Sequence, residues 1–292
     1  MEQITLSLNG SEARINLFGA ELTSFKYKNN EYIWQANPAV WGRHAPILFP
    51  IVGKLRDNNY FFQGKKYSMG QHGFARDREF AILDQSDTSV SLLLRSDRLS
   101  KAVYPFDFEL EVTYTMQPNG IQVGYKVRNT QPENPIWFSI GAHPGFNFPL
   151  NASERFEDYE IDFYDAALQS IDLYPLMEGY VSKEKQSLPI SNGKLGLRGE
   201  LFDNDALIMD VDTPAKVSIR SKKSGKGVAM SYSDFRWLGI WTKAVGAGFI
   251  CIEPWNGIAD TVDHDQQLVT KWGINLLEAG ESYAVSYEIM IY

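Results

Sequence analysis

The chain has 292 residues, of which 44% are hydrophobic and 13% aromatic, enough for a sizeable core. Its formal net charge of −8 disfavours general affinity for nucleic acids. There is no apolar run long enough to cross a bilayer and no basic start followed by an apolar stretch, and the single cysteine, Cys251, cannot form an internal disulfide. A cytoplasmic protein without a membrane segment is therefore expected.

Segments that alternate apolar and polar side chains recur along the chain and predict β-strands. In chain order they are 2–10, 106–116, 121–127, 155–164, 215–221, 227–233 and 282–291. The pattern is clearest in FDFELEVTYTM at 106–116, and the Pro-Asn-Gly that follows supplies a turn before the alternation resumes. A β-hairpin is predicted there, and the only helix expected is a turn or two near 97–104.

Many strands at short spacing, with no Ser/Gly/Pro-rich linker between them, indicate one large domain. The sequence therefore predicts a single all-β domain over residues 1–292, built as a large antiparallel β-sandwich.

Four motifs interrupt the strand pattern with polar residues: WGRHAPILFP (41–50), QHGFARDREF (71–80), GAHPGFN (141–147) and CIEPWNG (251–257). The glycines of GAHPGFN predict a sharp turn at a strand end that lets His143 project into a cleft. Glu253 follows an apolar run, where partial burial tends to raise the pKa of a carboxyl group.

Each motif also has an ordinary structural interpretation. A histidine near glycine is most often a loop residue, Glu253 could cap a turn, and Arg76 and Arg78 could form surface ion pairs. The four histidines lie far apart without HxxxH or CxxC spacing, which disfavours a metal site. A glycine-rich phosphate loop and a GxSxG motif are both absent, so no cofactor is expected. A histidine and a glutamate can still share a proton-transfer reaction, and surrounding aromatic residues and arginines suit a sugar.

HGFAR, GAHPGFN and EPWNG, in this order in an all-β chain, resemble the aldose 1-epimerase (galactose mutarotase-like) family and its LacX-like branch. Hexose-6-phosphate 1-epimerases share part of the pattern. The resemblance implies a β-supersandwich with a sugar in a cleft across one sheet, and a metal-free reaction.

The same resemblance assigns roles to individual residues. It implies that Glu253 is the catalytic base, that His143 is the acid and that His72 holds the sugar ring. The other substrate-binding residues expected are Arg43, Arg76, Trp255 and Asp205, with Asp203 as the alternative to Asp205. The Asn-Arg pair of galactose mutarotases is missing from VGKLRDNNYFF (52–62), so galactose is not specified as the substrate.

Two other functions stay open. The chain could be a hexose-6-phosphate 1-epimerase, in which Arg43, Arg76 and either Arg78 or Lys54 bind the phosphate. It could also be a carbohydrate-binding protein without activity, since a fold does not guarantee chemistry. The sequence leaves the sugar and the oligomeric state undetermined.

Overall fold

The computed structural model describes residues 2–210 and 215–292. In this part of the chain, short antiparallel strands dominate. They are β1 (Gln3–Leu8), β2 (Ser11–Asn16), β3 (Leu22–Tyr27), β4 (Asn30–Glu31), β5 (Ile47–Leu48), β6 (Asn59–Phe62), β7 (Lys65–Ser68), β8 (Ala81–Gln85), β9 (Ser89–Arg95), β10 (Phe108–Gln117), β11 (Gly120–Asn129), β12 (Ile136–Phe138), β13 (Ile140–Ala142), β14 (Gly145–Asn147), β15 (Tyr159–Asp162), β16 (Ser170–Leu173), β17 (Leu176–Met177), β18 (Tyr180–Val181), β19 (Gln186–Pro189), β20 (Lys194–Gly196), β21 (Leu207–Asp210), β22 (Lys216–Ser221), β23 (Gly227–Ser231), β24 (Trp237–Trp241), β25 (Phe249–Asn256), β26 (Asn275–Leu277) and β27 (Ser282–Ile291).

Helix is confined to short segments. The helix α1 (Arg98–Val103) confirms the helical turn predicted near 97–104, and it begins at a capping box in which Asp97 accepts from the backbone N–H of Ser100. Single 3₁₀ turns occur at Arg56–Asn58, Ala75–Asp77, Phe156–Asp158, Gly199–Phe202 and Leu268–Thr270. No helix of the described segments has the length and apolar character needed to cross a membrane.

The strands form two large sheets and several small ones, as the all-β prediction requires. The nine-stranded sheet has the order β20-β15-β22-β23-β27-β11-β10-β9-β8. The eight-stranded sheet has the order β19-β16-β21-β24-β25-β13-β5, with β14 also paired to β25. A four-stranded sheet, β1-β2-β3-β4, and the pairs β12-β26, β17-β18 and β6-β7 complete the described part. All named strand pairs are antiparallel, so the predicted antiparallel architecture is confirmed.

The predicted hairpin is β10 and β11, whose register pairs Gln117 with Gly120 across a two-residue turn. Every second residue of β10 is buried, which is the period-two pattern read from the sequence. The strand predicted over 155–164 is shorter than expected. It covers only β15, because Phe156–Asp158 forms a 3₁₀ turn first.

The core lies between the two large sheets. Ile250 and Ile252 of β25 meet Ile219 and Val228 of the nine-stranded sheet around a small apolar gap. The main apolar cluster extends from Ile4 to Ile291, and the single domain over residues 1–292 stays a prediction.

All eight residues of β25 are buried, so both faces of this strand are covered. The even-numbered residues Ile250 and Ile252 face the core between the sheets. The odd-numbered residues face the opposite side, where Phe249 and Cys251 pack with tryptophans and Trp255 joins a second apolar cluster. This second face of the eight-stranded sheet carries the candidate site.

Candidate active site

A cavity of about 340 Å³ lies on this second face, within the size range of small-molecule sites. Its floor includes Ile208 of β21 and Glu253 and Trp255 of β25. Loops that follow or precede short strands supply its walls, among them Gly53 and His72. The sheet therefore fixes the floor, while the motifs found in the sequence form the rim.

The strands β13 and β14 are consecutive in the chain, and both pair with β25 in one continuous register. Gly141 of β13 is opposite Trp255, and Gly145 of β14 is opposite Cys251. The residue midway between the two glycines therefore lies opposite the residue midway between their partners.

Those two midway residues are His143 and Glu253. His143 Nε2 lies 3.2 Å from Glu253 Oε2. Pro144 has no N–H, so the backbone ladder is interrupted there while the side chains still face each other. The histidine and glutamate motifs, 110 residues apart in the chain, thus meet as a cross-strand pair.

Burial is the main influence on the charge of this pair. Glu253 is 1% exposed, and burial, reinforced by the charge of Asp205, raises its pKa well above the ordinary value. Burial also lowers the pKa of His143 to about 3, and the positive charges of Arg76 and Arg43 act in the same direction. The resting pair is therefore neutral, with its one proton on the carboxyl group. Burial thus opposes the mutual attraction that would favour an ion pair.

The glycines of GAHPGFN make room for two indole rings. A Cβ at Gly141 would lie 2.6 Å from Cδ1 of Trp255, and a Cβ at Gly145 would lie 2.7 Å from Cζ3 of Trp41. Both glycines lie within strands, so the sharp turn predicted from them is wrong. Glycine is needed at both positions because there is no room for a side chain, not because the backbone adopts unusual dihedral angles.

Two tryptophans enclose His143. Trp41 stacks on the imidazole at 4.9 Å between ring centroids, and Trp241 meets it edge-on at 5.6 Å. Both line the cavity. Trp241 was not among the predicted site residues, although the alternation of Trp237, Gly239 and Trp241 on one face of β24 is a signal that could have found it.

Trp255 forms the floor and is only 6% exposed. Its ring lies between Gly141 and Gly239, since a Cβ at Gly239 would be 2.6 Å from Cη2. Its Nε1 donates to the carbonyl of Ala142 at 3.2 Å. The structure places Trp255 at the cavity, and its predicted contact with the substrate stays a prediction.

His72 stands beside the pair, with its ring centroid 5.6 Å from that of His143. Its Nδ1 accepts a hydrogen bond from the backbone N–H of Gly53 at 3.1 Å. Burial and the nearby positive charges lower the pKa of His72 well below its ordinary value, so the ring is neutral. A neutral ring that accepts at Nδ1 carries its hydrogen on Nε2 and offers a donor to the cavity.

The two arginines expected at the substrate occupy different places. Arg76 lines the cavity and donates from Nη2 to the carbonyl of Gln71 at 2.6 Å. Arg43 is not among the cavity-lining residues, and its Nη2 donates to Asp77 Oδ1 at 2.9 Å. Only Arg76 is therefore placed to touch a ligand directly.

The other predicted phosphate ligands are also engaged. Arg78 pairs with Asp97 at 2.9 Å, away from the cavity lining. Lys54 lines the cavity, but its Nζ donates to the carbonyl of Glu178 and lies over the ring of Tyr180.

Of the two candidate aspartates, Asp205 lies at the cavity and is close enough to Glu253 to raise the pKa of that group. Asp203 is the C-terminal cap of the 3₁₀ turn Gly199–Phe202 and is outside the lining. Of the two aspartates, only Asp205 is placed at the cavity, and its contact with sugar hydroxyls stays a prediction.

Cys251 comes close to His143 and Glu253. Its Sγ and one ligand atom each from His143 and Glu253 lie within 4.8 Å of one another, a grouping that could hold a metal ion. Linear spacing did not reveal it, because the histidine reaches the other two residues across a strand pair. Burial raises the pKa of the Cys251 thiol well above its ordinary value, which keeps it protonated and favours a packing role.

A family model described as aldose 1-epimerase matches residues 2–283 of this chain. The chain belongs to the aldose 1-epimerase family. This confirms the resemblance seen in its motifs. Among the relatives of this family member is Protein LacX of Lactococcus lactis subsp. lactis, chromosomal and plasmid, 34% identical over 280 residues that cover 94% of each chain.

Solved structures agree with the fold. A galactose mutarotase related enzyme from Lactobacillus acidophilus is 34% identical, with a TM-score of 0.94 over 100% of this chain and 97% of its own. A galactose mutarotase-like protein from Lactobacillus casei ATCC 334 is 31% identical, with a TM-score of 0.93 over 100% of both chains. This aldose 1-epimerase family member therefore has the galactose mutarotase-like sandwich fold, and its family supports a role in sugar epimerisation.

Proposed function

We propose that this protein interconverts the α and β anomers of a hexose, with Glu253 as the base and His143 as the acid. The observation that carries the proposal is their contact as a buried cross-strand pair, 3.2 Å apart at the wall of a cavity. Two groups that exchange one proton at a sheltered site are what ring opening and closure require.

In the proposed reaction, the Glu253 carboxylate takes the proton of the hydroxyl on C1 while His143 gives a proton to the ring oxygen O5. The C1–O5 bond breaks, and an open-chain aldehyde forms. Rotation about C1–C2 turns the other face of the aldehyde toward O5. The ring then closes as His143 takes its proton back and the Glu253 carboxyl group returns a proton to the oxygen on C1.

The neutral state of the His143–Glu253 pair is compatible with this cycle. The ion pair and the neutral pair hold the same single proton and differ only in which group carries it. Ring opening starts from the ion pair and produces the neutral pair, so the neutral resting state corresponds to the open-chain stage. Sugar hydroxyls that donate to Glu253 would stabilise its carboxylate and restore the ion pair on binding.

The surroundings of the pair support a free sugar as the substrate. Trp41 and Trp241 offer apolar surface for a sugar ring, and His72 offers a hydrogen-bond donor. Arg43, the main candidate for a phosphate ligand, is already paired with Asp77. We therefore place the free hexose ahead of its 6-phosphate.

The test is the rate of anomerisation of freshly dissolved α-glucose and α-galactose, followed by polarimetry. Glu253→Gln and His143→Asn should each lower the enzymatic rate by roughly 10²-fold or more, because each removes one proton-transfer group. The double variant should be little slower than the slower single variant, since the two groups act as a unit.

Circular dichroism controls for folding, because a near-normal rate in folded Glu253→Gln would contradict the assignment. A wild-type protein that binds sugar in calorimetry without accelerating anomer exchange would instead support a carbohydrate-binding protein on this fold.

A further inference from the structure

A fully buried ion pair lies behind one wall of the cavity. The side chain of Lys271 is 0% exposed, and that of Asp260 is 1% exposed. Lys271 Nζ donates to Asp260 Oδ1 at 2.9 Å and to the carbonyl of Ile258 at 2.5 Å. The proton-transfer scheme has no use for this pair. Two buried charges are also no more stabilising in general than apolar residues of the same size, so the pair calls for another explanation.

The segment that Lys271 holds is itself part of the cavity. Ala259 lies between the two anchored residues Ile258 and Asp260, and it lines the cavity. It packs directly on Gly53, where a Cβ would lie 2.6 Å from Cα of Ala259. A fixed Ala259 therefore sets the position of Gly53.

Asp260 reaches the same loop by two further hydrogen bonds. Its Oδ2 accepts from the backbone N–H of Arg56 at 2.8 Å. Its own N–H donates to the carbonyl of Lys54 at 2.9 Å. Residues 54 and 56 of the loop are thus held by the backbone N–H and by one carboxylate oxygen of Asp260, while its other oxygen accepts from Lys271.

Gly53 in turn sets the orientation of His72. The N–H of Gly53 donates to His72 Nδ1 at 3.1 Å, and the carbonyl of Gly53 accepts from the N–H of His72 at 2.9 Å. Since Nδ1 is occupied as an acceptor, the ring hydrogen must be on Nε2.

We propose that Asp260 and Lys271 are positioning residues for sugar recognition, which hold Gly53 in place so that His72 keeps its hydrogen on Nε2. The ion pair acts through the backbone and does not touch the ligand. Its effect on sugar binding rests on the proposed function, whereas its effect on the His72 tautomer does not.

The direct test is the ring tautomer of His72, measured by long-range ¹H–¹⁵N correlation spectra of the imidazoles. The chain has only four histidines, and His72→Asn identifies the His72 signals. Asp260→Leu combined with Lys271→Met removes the ion pair without leaving either charge buried alone. Wild type should show hydrogen on Nε2 only, and the double variant should show a mixture of both tautomers.

A second double variant, Asp260→Asn with Lys271→Met, separates the acceptor from the charge. Asparagine keeps an oxygen for the N–H of Arg56, so the tautomer should return toward that of wild type. If the leucine variant does not fold, Asp260→Ala with Lys271→Met also removes the acceptor and both charges, and it should likewise mix the tautomers. An unchanged His72 signal in a folded variant without the ion pair would overturn the proposal.

Steady-state kinetics test the effect of the ion pair on sugar binding. The Asp260→Leu/Lys271→Met variant should raise KM by roughly 10-fold, with kcat within about twofold, because one hydrogen bond to the sugar is misplaced while the proton-transfer pair is intact. Glu154→Gln is the matched control and should leave KM unchanged, because Glu154 is a buried carboxylate bonded to Ser221 and is not among the cavity-lining residues. A loss in kcat alone, as from a smaller folded fraction, would count against a positioning role.

Discussion

The His143–Glu253 pair has buried polar atoms without a hydrogen-bond partner among the described residues. Nε2 of His143 and Oε2 of Glu253 are close enough for a hydrogen bond but are not aligned for one, and Oε2 has no hydrogen-bond partner among the described residues. The same holds for Nδ1 of His143. Buried polar atoms without partners destabilise a fold by about 1–3 kcal/mol each. Under the proposed function, the hydroxyls of a sugar would supply hydrogen-bond partners to these atoms.

The shifted pKa values predict opposite pH responses for two variants. Between pH 4.5 and 6.5, the unfolded chain protonates His143 while the folded chain does not, so acidification destabilises the fold. Glu253 acts in the opposite sense, because the folded chain keeps a proton that the unfolded chain releases. His143→Asn should therefore flatten the loss of stability on acidification, and Glu253→Gln should steepen it, each by up to about 1.4 kcal/mol per pH unit.

Urea unfolding at several pH values in that window measures both slopes against wild type. Parallel curves for all three proteins would show that the two groups titrate alike in the folded and unfolded chains.

The arginines supply a second prediction at this scale. Arg76→Ala should raise KM for a hexose because it removes a side chain from the cavity wall, whereas Arg43→Ala should leave free-sugar kinetics within about twofold. Turnover of glucose and of glucose 6-phosphate by both variants is the measurement. A preference for the phosphate that disappears in Arg43→Ala would favour the hexose-6-phosphate 1-epimerase function instead.

The strand β25 contributes both to the core and to the candidate site. Its even-numbered residues complete the core between the sheets, while its odd-numbered residues carry the site. Its neighbours accommodate this with glycine: Gly239 of β24 is opposite Glu253, and Gly141 of β13 is opposite Trp255. The absence of side chains at these positions leaves space for the indole of Trp255.

Glycine at position 239 should therefore be intolerant of any side chain. Gly239→Ala would place a Cβ 2.6 Å from Trp255, and we expect a loss of about 1–3 kcal/mol in unfolding free energy together with weaker sugar binding. Gly196→Ala is the matched control, since Gly196 also lies in a strand and its added Cβ meets nothing within 4 Å. Equal stability of the two variants in chemical denaturation would contradict this account of the floor.

At the scale of the whole molecule, the sequence predicted what local patterns can encode. The strands β10, β11 and β27 are long and half-buried, so their alternation of apolar and polar residues can be recognised in the sequence. Two-residue strands such as β5 and β17 exist only because a partner strand lies beside them, and no local pattern indicates them. Because β25 is buried on both faces, its sequence shows no alternation of apolar and polar residues that would predict a strand.

The candidate site likewise contains residues that local sequence patterns predicted and residues that they could not predict. The motifs around His143, Glu253 and His72 stood out because polar residues interrupt apolar runs. The loop contacts made by Asp260 could not be predicted, since its partner Arg56 is 204 positions away and a single aspartate gives no sign of being buried. The displacement of Arg43 from the lining also depends on a distant partner, Asp77.

The shared register of β13 and β14 on β25 makes the contact between His143 and Glu253 depend on the number of residues in each strand. Deleting one residue within β25 would exchange its two faces, so that the carboxyl group of Glu253 would point into the apolar layer now filled by Ile252. The effect of a substituted side chain can be small or large. A one-residue shift of the strand register, in contrast, moves every side chain of the strand to the opposite face. Homologues that perform the same chemistry are therefore free to vary in length at their loops, while the number of residues between the two glycines around His143 has to stay odd.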